Sequence, residues 1–248
     1  MKKAQRQPVS RPLWFTRSAL RQAFLRTGCS ICTTLRVSER KGIHSFLYEG
    51  MMSPSVRQKF LEGGGFCARH FRMAKQIEEQ TWPAGGIGMA ILCEDLLRVA
   101  DSNLQSSGSL SRNPKFPLRN RRGDHPFLPG QNCMFCKDIL DKERFLLEVL
   151  EELVDEREFA EPLSKHGLCV RHTQLTREIW IDETKRAKLF AELRSRLGDL
   201  SADLREFIRK HDYQFRHEPP GPEANAVERT MGLLLGSRDE TSILRPER

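Results

Sequence analysis

Apolar residues along this chain recur at three- and four-residue intervals, and no stretch alternates in the manner of a strand, so the hydrophobic pattern predicts an all-α protein. The longest seam joins Leu189, Leu193, Leu197, Leu200, Leu204 and Phe207, a long amphipathic helix from Asp182 to about Lys210. A shorter one, Thr16 to Arg26, places Leu20, Phe24 and Leu25 on one side and stops at Gly28. Phe46 and Leu47, then Val56, Phe60 and Leu61, mark two short helices around Met52-Ser53-Pro54, a helical hairpin. After Trp82-Pro83-Ala84-Gly85-Gly86 comes a helix patterned by Ile87, Ile91, Leu92, Leu96, Leu97 and Ala100. A helix from Asp138 turns Leu140, Leu147, Leu150 and Val154 toward a core and is expected to break at Glu161-Pro162. Beyond Pro219-Pro220 a short helix, Val227 to Leu235, is expected before an unstructured end.

The cysteines reveal that this pattern is duplicated. Cys-Ser-Ile-Cys at 29–32 recurs as Cys-Met-Phe-Cys at 133–136, and Gly65-Phe66-Cys67-Ala68-Arg69-His70 recurs as Gly167-Leu168-Cys169-Val170-Arg171-His172. Leu61 and Leu163 stand equally far before the third cysteine, and Glu39-Arg40 and Glu143-Arg144 equally far after the second. Six of the seven cysteines occupy repeat-equivalent positions, and Cys93, in the apolar run Ile91-Leu92-Cys93, reads as a buried small hydrophobe. The chain therefore divides into a basic N-terminal tail (1–15), a first helical metal-binding repeat (16–105), and a basic flexible linker (106–132). A second metal-binding repeat with the long helix (133–216) and a C-terminal tail with a short helix (217–248) complete it.

Seven cysteines without an export signal argue against a disulfide framework and for metal ligation. Each repeat supplies three thiols and one imidazole, a tetrahedral set that suits Zn²⁺ and leaves no open position for a substrate water. Read repeat by repeat, Cys29, Cys32, Cys67 and His70 hold one zinc ion, and Cys133, Cys136, Cys169 and His172 hold the other. The helical hairpin would return Cys67 to Cys29, since loop closure grows only logarithmically with length. Gly65 and Gly167 would give the tight entry into the C-x-x-H helix, and Arg69 and Arg171 would offset the charge of three thiolates. An iron–sulfur cluster is the alternative metal reading. A thiol–disulfide role for the C-x-x-C pairs lacks its usual βαβ context.

Charge changes the picture less. The net charge of +8 is uneven: Met1 to Ser38 carries no acid, Arg112 to Arg122 is basic, and Asp138 to Glu161 is strongly acidic. These runs read first as solvated faces and internal complements. No stretch approaches the roughly 18 apolar residues of a membrane span, and no apolar signal core is present, so a soluble cytoplasmic protein with no membrane partner is expected. His44, His125 and His217 read as surface or capping residues, and His166 as a loop residue. The segment Phe207 to His217 reads as a helix end, with a partner surface as the alternative. No Ser/His/Asp arrangement, phosphate loop or open metal triad is readable, so an enzyme is disfavoured. The favoured function is a zinc-stabilised helical scaffold for a protein partner. Nucleic-acid binding through the basic N-terminus and linker is the alternative, and a thiol or iron–sulfur redox protein the second alternative.

The paired C-x-x-C and G-[FL]-C-x-R-H motifs are followed by Phe207-Ile208-Arg209-Lys210-His211-Asp212-Tyr213 and the turn Pro219-Pro220-Gly221. In this the chain resembles a family of uncharacterised bacterial proteins defined as a domain of unknown function, over roughly Ala19 to Gly236. Ser30 and Met134 stand where that family usually has proline after the first cysteine. The resemblance implies the fold and the eight ligands and carries no activity with it.

Overall fold

The computed structural model describes residues 13–83, 86–108, 132–215 and 217–236. The basic tail up to residue 12, most of the basic linker (109–131, with His125) and the residues after 236 lie outside them. The described residues form ten α-helices and no strand: α1 (Leu13–Phe24), α2 (Ser30–Tyr48), α3 (Pro54–Glu62), α4 (Ala68–Thr81), α5 (Gly88–Gly108), α6 (Met134–Leu153), α7 (Arg157–His166), α8 (Val170–Ile179), α9 (Glu183–Lys210) and α10 (Ala226–Leu235). The fold class is all-α, as the periodicity requires. None of these helices is long and apolar enough to cross a membrane.

The chain forms two compact units, and neither is a sequence repeat. Among the described residues, one lies within Met1–Arg36 and Lys142–Arg248 and the other within Val37–Asp141, so the boundaries fall inside α2 and α6.

The Val37–Asp141 unit is built on phenylalanine. Phe66, fully buried, meets Phe46 at 5.1 Å, Phe60 at 4.7 Å, Phe71 at 5.5 Å and Phe135 at 5.1 Å between ring centroids. Edge-to-face and tilted pairs such as these add to the burial of large apolar surfaces. Because Phe66 immediately precedes Cys67, this cluster fixes where α4 begins. The apolar stripe of α5 is narrower than its sequence suggests: Leu92 is buried, while Leu97 and, just before the helix, Ile87 are exposed. Cys93 is exposed, not buried, because it lies one residue round the helix from Leu92.

In the other unit, Leu20 and Phe24 of α1 are buried as expected and Leu25 is exposed. Phe24 packs edge-on against Phe159 of α7, and Arg17 pairs with Glu156 and Glu158, so the acidic run finds its complement in the basic start of the chain. Leu147 and Leu150 are buried, but Leu140 is exposed. The break after α6 comes at Val154 to Glu156, and Pro162 lies inside α7 instead of ending a helix. Buried Phe159 and Leu163, one turn apart, hold that short helix to the core despite the hydrogen bond the proline forgoes. His166 is its last residue, not a loop residue. Trp180, which caps α8, is buried and its Nε1 donates to the Leu147 carbonyl at 2.8 Å.

Along α9 only Leu189 and Leu193 are fully buried, and Leu197 is exposed. The end of α9 is tied to the following turn: Arg209 bonds Glu206 and Glu218 and lies 4.5 Å from the Phe215 ring centroid, and Lys210 bonds Glu223 at 2.8 Å. Arg209 and Lys210 thus fasten the end of α9 to the turn that follows it.

Candidate metal centres

All four ligand pairs occupy the same local structure. Cys29 and Cys133 directly precede α2 and α6, and Cys67 and Cys169 are the N-caps of α4 and α8. The carbonyl of each leading cysteine accepts the first helical bond, from Thr33 (3.1 Å), Lys137 (3.2 Å), Phe71 (2.9 Å) and Thr173 (2.9 Å). The backbones of Cys67 (φ −67°, ψ 163°) and Cys169 (φ −67°, ψ 164°) are nearly identical. The C-x-x-C pairs are therefore also helix starts, not free loops. The second ligand of every pair sits three residues into the helix, on the face of the first. Free N–H groups and the positive end of the helix dipole at each start favour thiolate over thiol. Gly65 (φ +83°) and Gly167 (φ +67°) provide the left-handed turn that enters α4 and α8.

The structure brings all eight residues together, but not repeat by repeat. Cys29 and Cys32 are joined by Cys169 and His172, and Cys67 and His70 by Cys133 and Cys136. Each group takes its C-x-x-C from one repeat and its C-x-x-H from the other, which corrects the within-repeat pairing. Each group also lies wholly inside one compact unit. In the α2–α8 group, His172 Nδ1 is 3.3 Å from Cys29 Sγ, 3.3 Å from Cys32 Sγ and 3.1 Å from Cys169 Sγ. In the α4–α6 group, His70 Nδ1 is 3.1 Å from Cys67 Sγ, 3.4 Å from Cys133 Sγ and 3.5 Å from Cys136 Sγ. The sulfurs of Cys32 and Cys169 are 3.8 Å apart, and those of Cys67 and Cys136 3.6 Å. Zn–S bonds of ~2.3 Å and Zn–N bonds of ~2.0 Å give tetrahedral edges of about 3.8 Å between sulfurs and about 3.5 Å from sulfur to nitrogen. The donor atoms fit one metal ion per group.

The histidines are held from behind by residues whose repetition is visible in the sequence but whose role is not. His70 Nε2 donates to Glu39 Oε1 at 2.8 Å, and His172 Nε2 donates to Glu143 Oε1 at 2.8 Å. Arg69 Nη2 bonds Glu39 Oε2 at 2.7 Å, and Arg171 Nη2 bonds Glu143 Oε2 at 2.9 Å. Both carboxylates are buried. A carboxylate on Nε2–H fixes the tautomer that turns the Nδ1 lone pair toward the sulfurs. Arg69 and Arg171 thus neutralise these carboxylates directly.

The electrostatics of the histidines, of Glu39 and of Cys133 agree in direction, whereas burial and the neighbouring sulfurs push the Cys29 thiol up and Cys136 up to about 12. Burial works against ionised Glu39, yet His70 and Arg69 outweigh it and hold the carboxyl at about 2. With protons as the only cations, burial opposes charge on the histidines, but thiolates and the glutamates push His70 up to about 10 and His172 to about 11. Cys133 is drawn down to about 6, since His70 and the backbone N–H groups of Cys67 and Cys136 overcome its burial. Positive charge is favoured where a metal ion would sit. Protons and metal compete for that place, so metal affinity falls as pH falls. Replacing Glu143 by Gln is expected to weaken metal binding at the α2–α8 group about 10- to 100-fold, and Glu39→Gln to do so at the α4–α6 group. Competition with a chromophoric chelator measures this, and each variant should leave the other group's affinity unchanged.

Helices and donor atoms together define an all-helical protein with two Cys3His groups, each able to hold a metal ion. The chain belongs to the Family of unknown function (DUF6062), which it matches over residues 19–241. No curated protein and no solved structure matches it.

Proposed function

We propose that the chain binds two structural zinc ions and serves as a non-enzymatic helical scaffold for a protein partner. The observation that supports the zinc reading is the donor set of each group: four protein donors lie close enough to surround one ion, and a tetrahedral ion held by all four would have no position left for substrate or water. The sulfur separations favour a single ion over an iron–sulfur cluster, in which ligands bound to different irons would be forced well beyond contact. The scaffold reading draws on α10, where Val227, Met231, Leu234 and Leu235 recur at helical spacing and remain exposed.

Elemental analysis of purified protein is expected to return two zinc ions per chain, and cobalt exchange to give the intense visible bands of tetrahedral thiolate-bound Co²⁺. Iron with its own visible absorption, or no metal, would overturn the zinc reading. Met231→Glu with Leu234→Glu should keep both metals and the helical content while abolishing the cross-linked partner complexes formed by the wild type. Unchanged complexes would remove the scaffold assignment to α10.

A further inference from the structure

The duplication supplies an internal comparison that points to a second kind of site. In the second copy, Arg144 at the position equivalent to Arg40 is neutralised by Glu148, at 3.3 Å. The residue equivalent to Glu148 in the first copy is His44, and Lys41 and Tyr48 stand where the second copy has Phe145 and Glu152. One face of α2 has thus exchanged acidic and apolar residues for basic and aromatic ones. Arg40 and Lys41 have no carboxylate partner among the described residues; Arg40 Nη2 bonds the side-chain oxygen of Gln80 at 2.9 Å. Its Nη1 is enclosed without an acceptor. An enclosed cationic donor left unpaired is costly unless something supplies an acceptor.

That face lines a cleft of about 360 Å³ between α2 and the end of α4, bounded by Arg40, Lys41, His44, Ser45, Gln80 and Thr81, with no acidic residue in its lining. The volume is in the range of small-ligand sites. Of the aromatic rings here His44 lines the cleft, and two more extend from it: Trp82, which caps α4, lies 6.0 Å from His44 and 6.4 Å from Tyr48, and all three rings are parallel to within 15°. Trp180, the cap of α8, is instead buried and hydrogen-bonded to Leu147. Two cations, hydroxyl and amide groups, and the exposed His44 and Tyr48 side chains beside half-buried Trp82 form the complement of a phosphate joined to a planar base.

We infer that the α2–α4 cleft binds a nucleotide, its phosphate at Arg40 and Lys41 and its base against the His44, Tyr48 and Trp82 rings. A free nucleotide and a nucleotide within a single strand present the same chemistry. Binding uses charge-assisted hydrogen bonds at one end and stacking at the other. Neither metal group takes part.

The test titrates metal-loaded full-length protein with a fluorescent adenine nucleotide and competes it with ATP, adenosine, tripolyphosphate and a single-stranded oligoadenylate. Saturable binding is expected, weakened about tenfold or more by Arg40→Gln with Lys41→Gln and by Trp82→Ala, and unaffected by Arg144→Gln. Metal analysis of each variant separates loss of the cleft from loss of the fold. Adenosine and tripolyphosphate should each compete at least about tenfold more weakly than ATP, since each carries half of the recognised groups. Stronger competition by ATP than by oligoadenylate assigns the cleft to free nucleotides, and the reverse assigns it to strands. No binding up to about 1 mM nucleotide, indifference to these substitutions, or tripolyphosphate competing as well as ATP would overturn the inference.

Discussion

The double variant Cys32→Ser/Cys169→Ser is expected to lose one metal ion per chain, and Cys32→Ser/Cys67→Ser to lose both. The first pair belongs to one group and the second pair is divided between two. Pairing within each repeat would reverse the two counts, so elemental analysis of the two proteins decides the connectivity without further structure. Metal binding contributes directly to folding free energy, so the first variant should lose stability in one unit and the second in both. Loop closure does not oppose the exchanged pairing. Contacts in the α2–α8 group span 137 to 143 residues. A within-repeat closure would span about 40, and slightly under two doublings of loop length cost about 1 kcal/mol.

Helix length explains why the expected hairpin does not close on Cys29. The sequence pattern marked only Phe46 and Leu47 for the outgoing arm, but α2 runs unbroken for 19 residues from the first C-x-x-C, about 28 Å, while α3 has 9 residues, about 14 Å. The return arm is half as long as the outgoing one. Glu39, which receives His70, lies two turns past Cys32 along α2, so the C-x-x-H of the same repeat meets the middle of the helix and not its start. The eight donor residues were legible because duplication marked them. Their partition was not, because it depends on the continuity of α2, which the weak periodicity between Cys32 and Phe46 concealed.

Other residues follow the same logic. Glu39 and Glu143 were visible as a repeated Glu-Arg pair, yet nothing along the chain connects them to a histidine about 30 residues away; only the packing of α4 on α2 and of α8 on α6 does so. Leu140, Leu97 and Cys93 lie on sequence stripes wider than the faces their helices bury, and each is exposed. Pro162 breaks no helix because two buried neighbours one turn apart outweigh a single lost bond. Gly236 was invisible as a site residue, since its contribution is the absence of a side chain. A Cβ there would fall 2.6 Å from Cys32 Sγ and 3.4 Å from Cys169 Sγ, and its φ of +73° strains any other residue.

That glycine bears on the second large effect, unequal release of the two metals. Both groups have the same donors and the same Glu-Arg support, but all four ligands of the α2–α8 group are buried, none more than 3 % exposed. The residue closing α10 is seated against two of its sulfurs. In the α4–α6 group Cys136 is exposed and Cys67 half-buried, with their sulfurs 3.6 Å apart. Chelators and oxidants reach thiolates through solvent, so exposure sets the rate where ligand chemistry is equal. Hydrogen peroxide would take two electrons from Cys67 and Cys136, forming their S–S bond and two hydroxide ions, and that group would release its ion. Treating the two-metal protein with a chelator or with peroxide, while following released zinc with a chromophoric indicator, should therefore give two phases of one equivalent each. Cys67→Ser should abolish the fast phase alone. Gly236→Ala should accelerate the slow phase, because the added Cβ must displace the end of α10 from the sulfurs it covers. A single phase of two equivalents in the wild type would mean that burial of the α2–α8 ligands does not protect their metal.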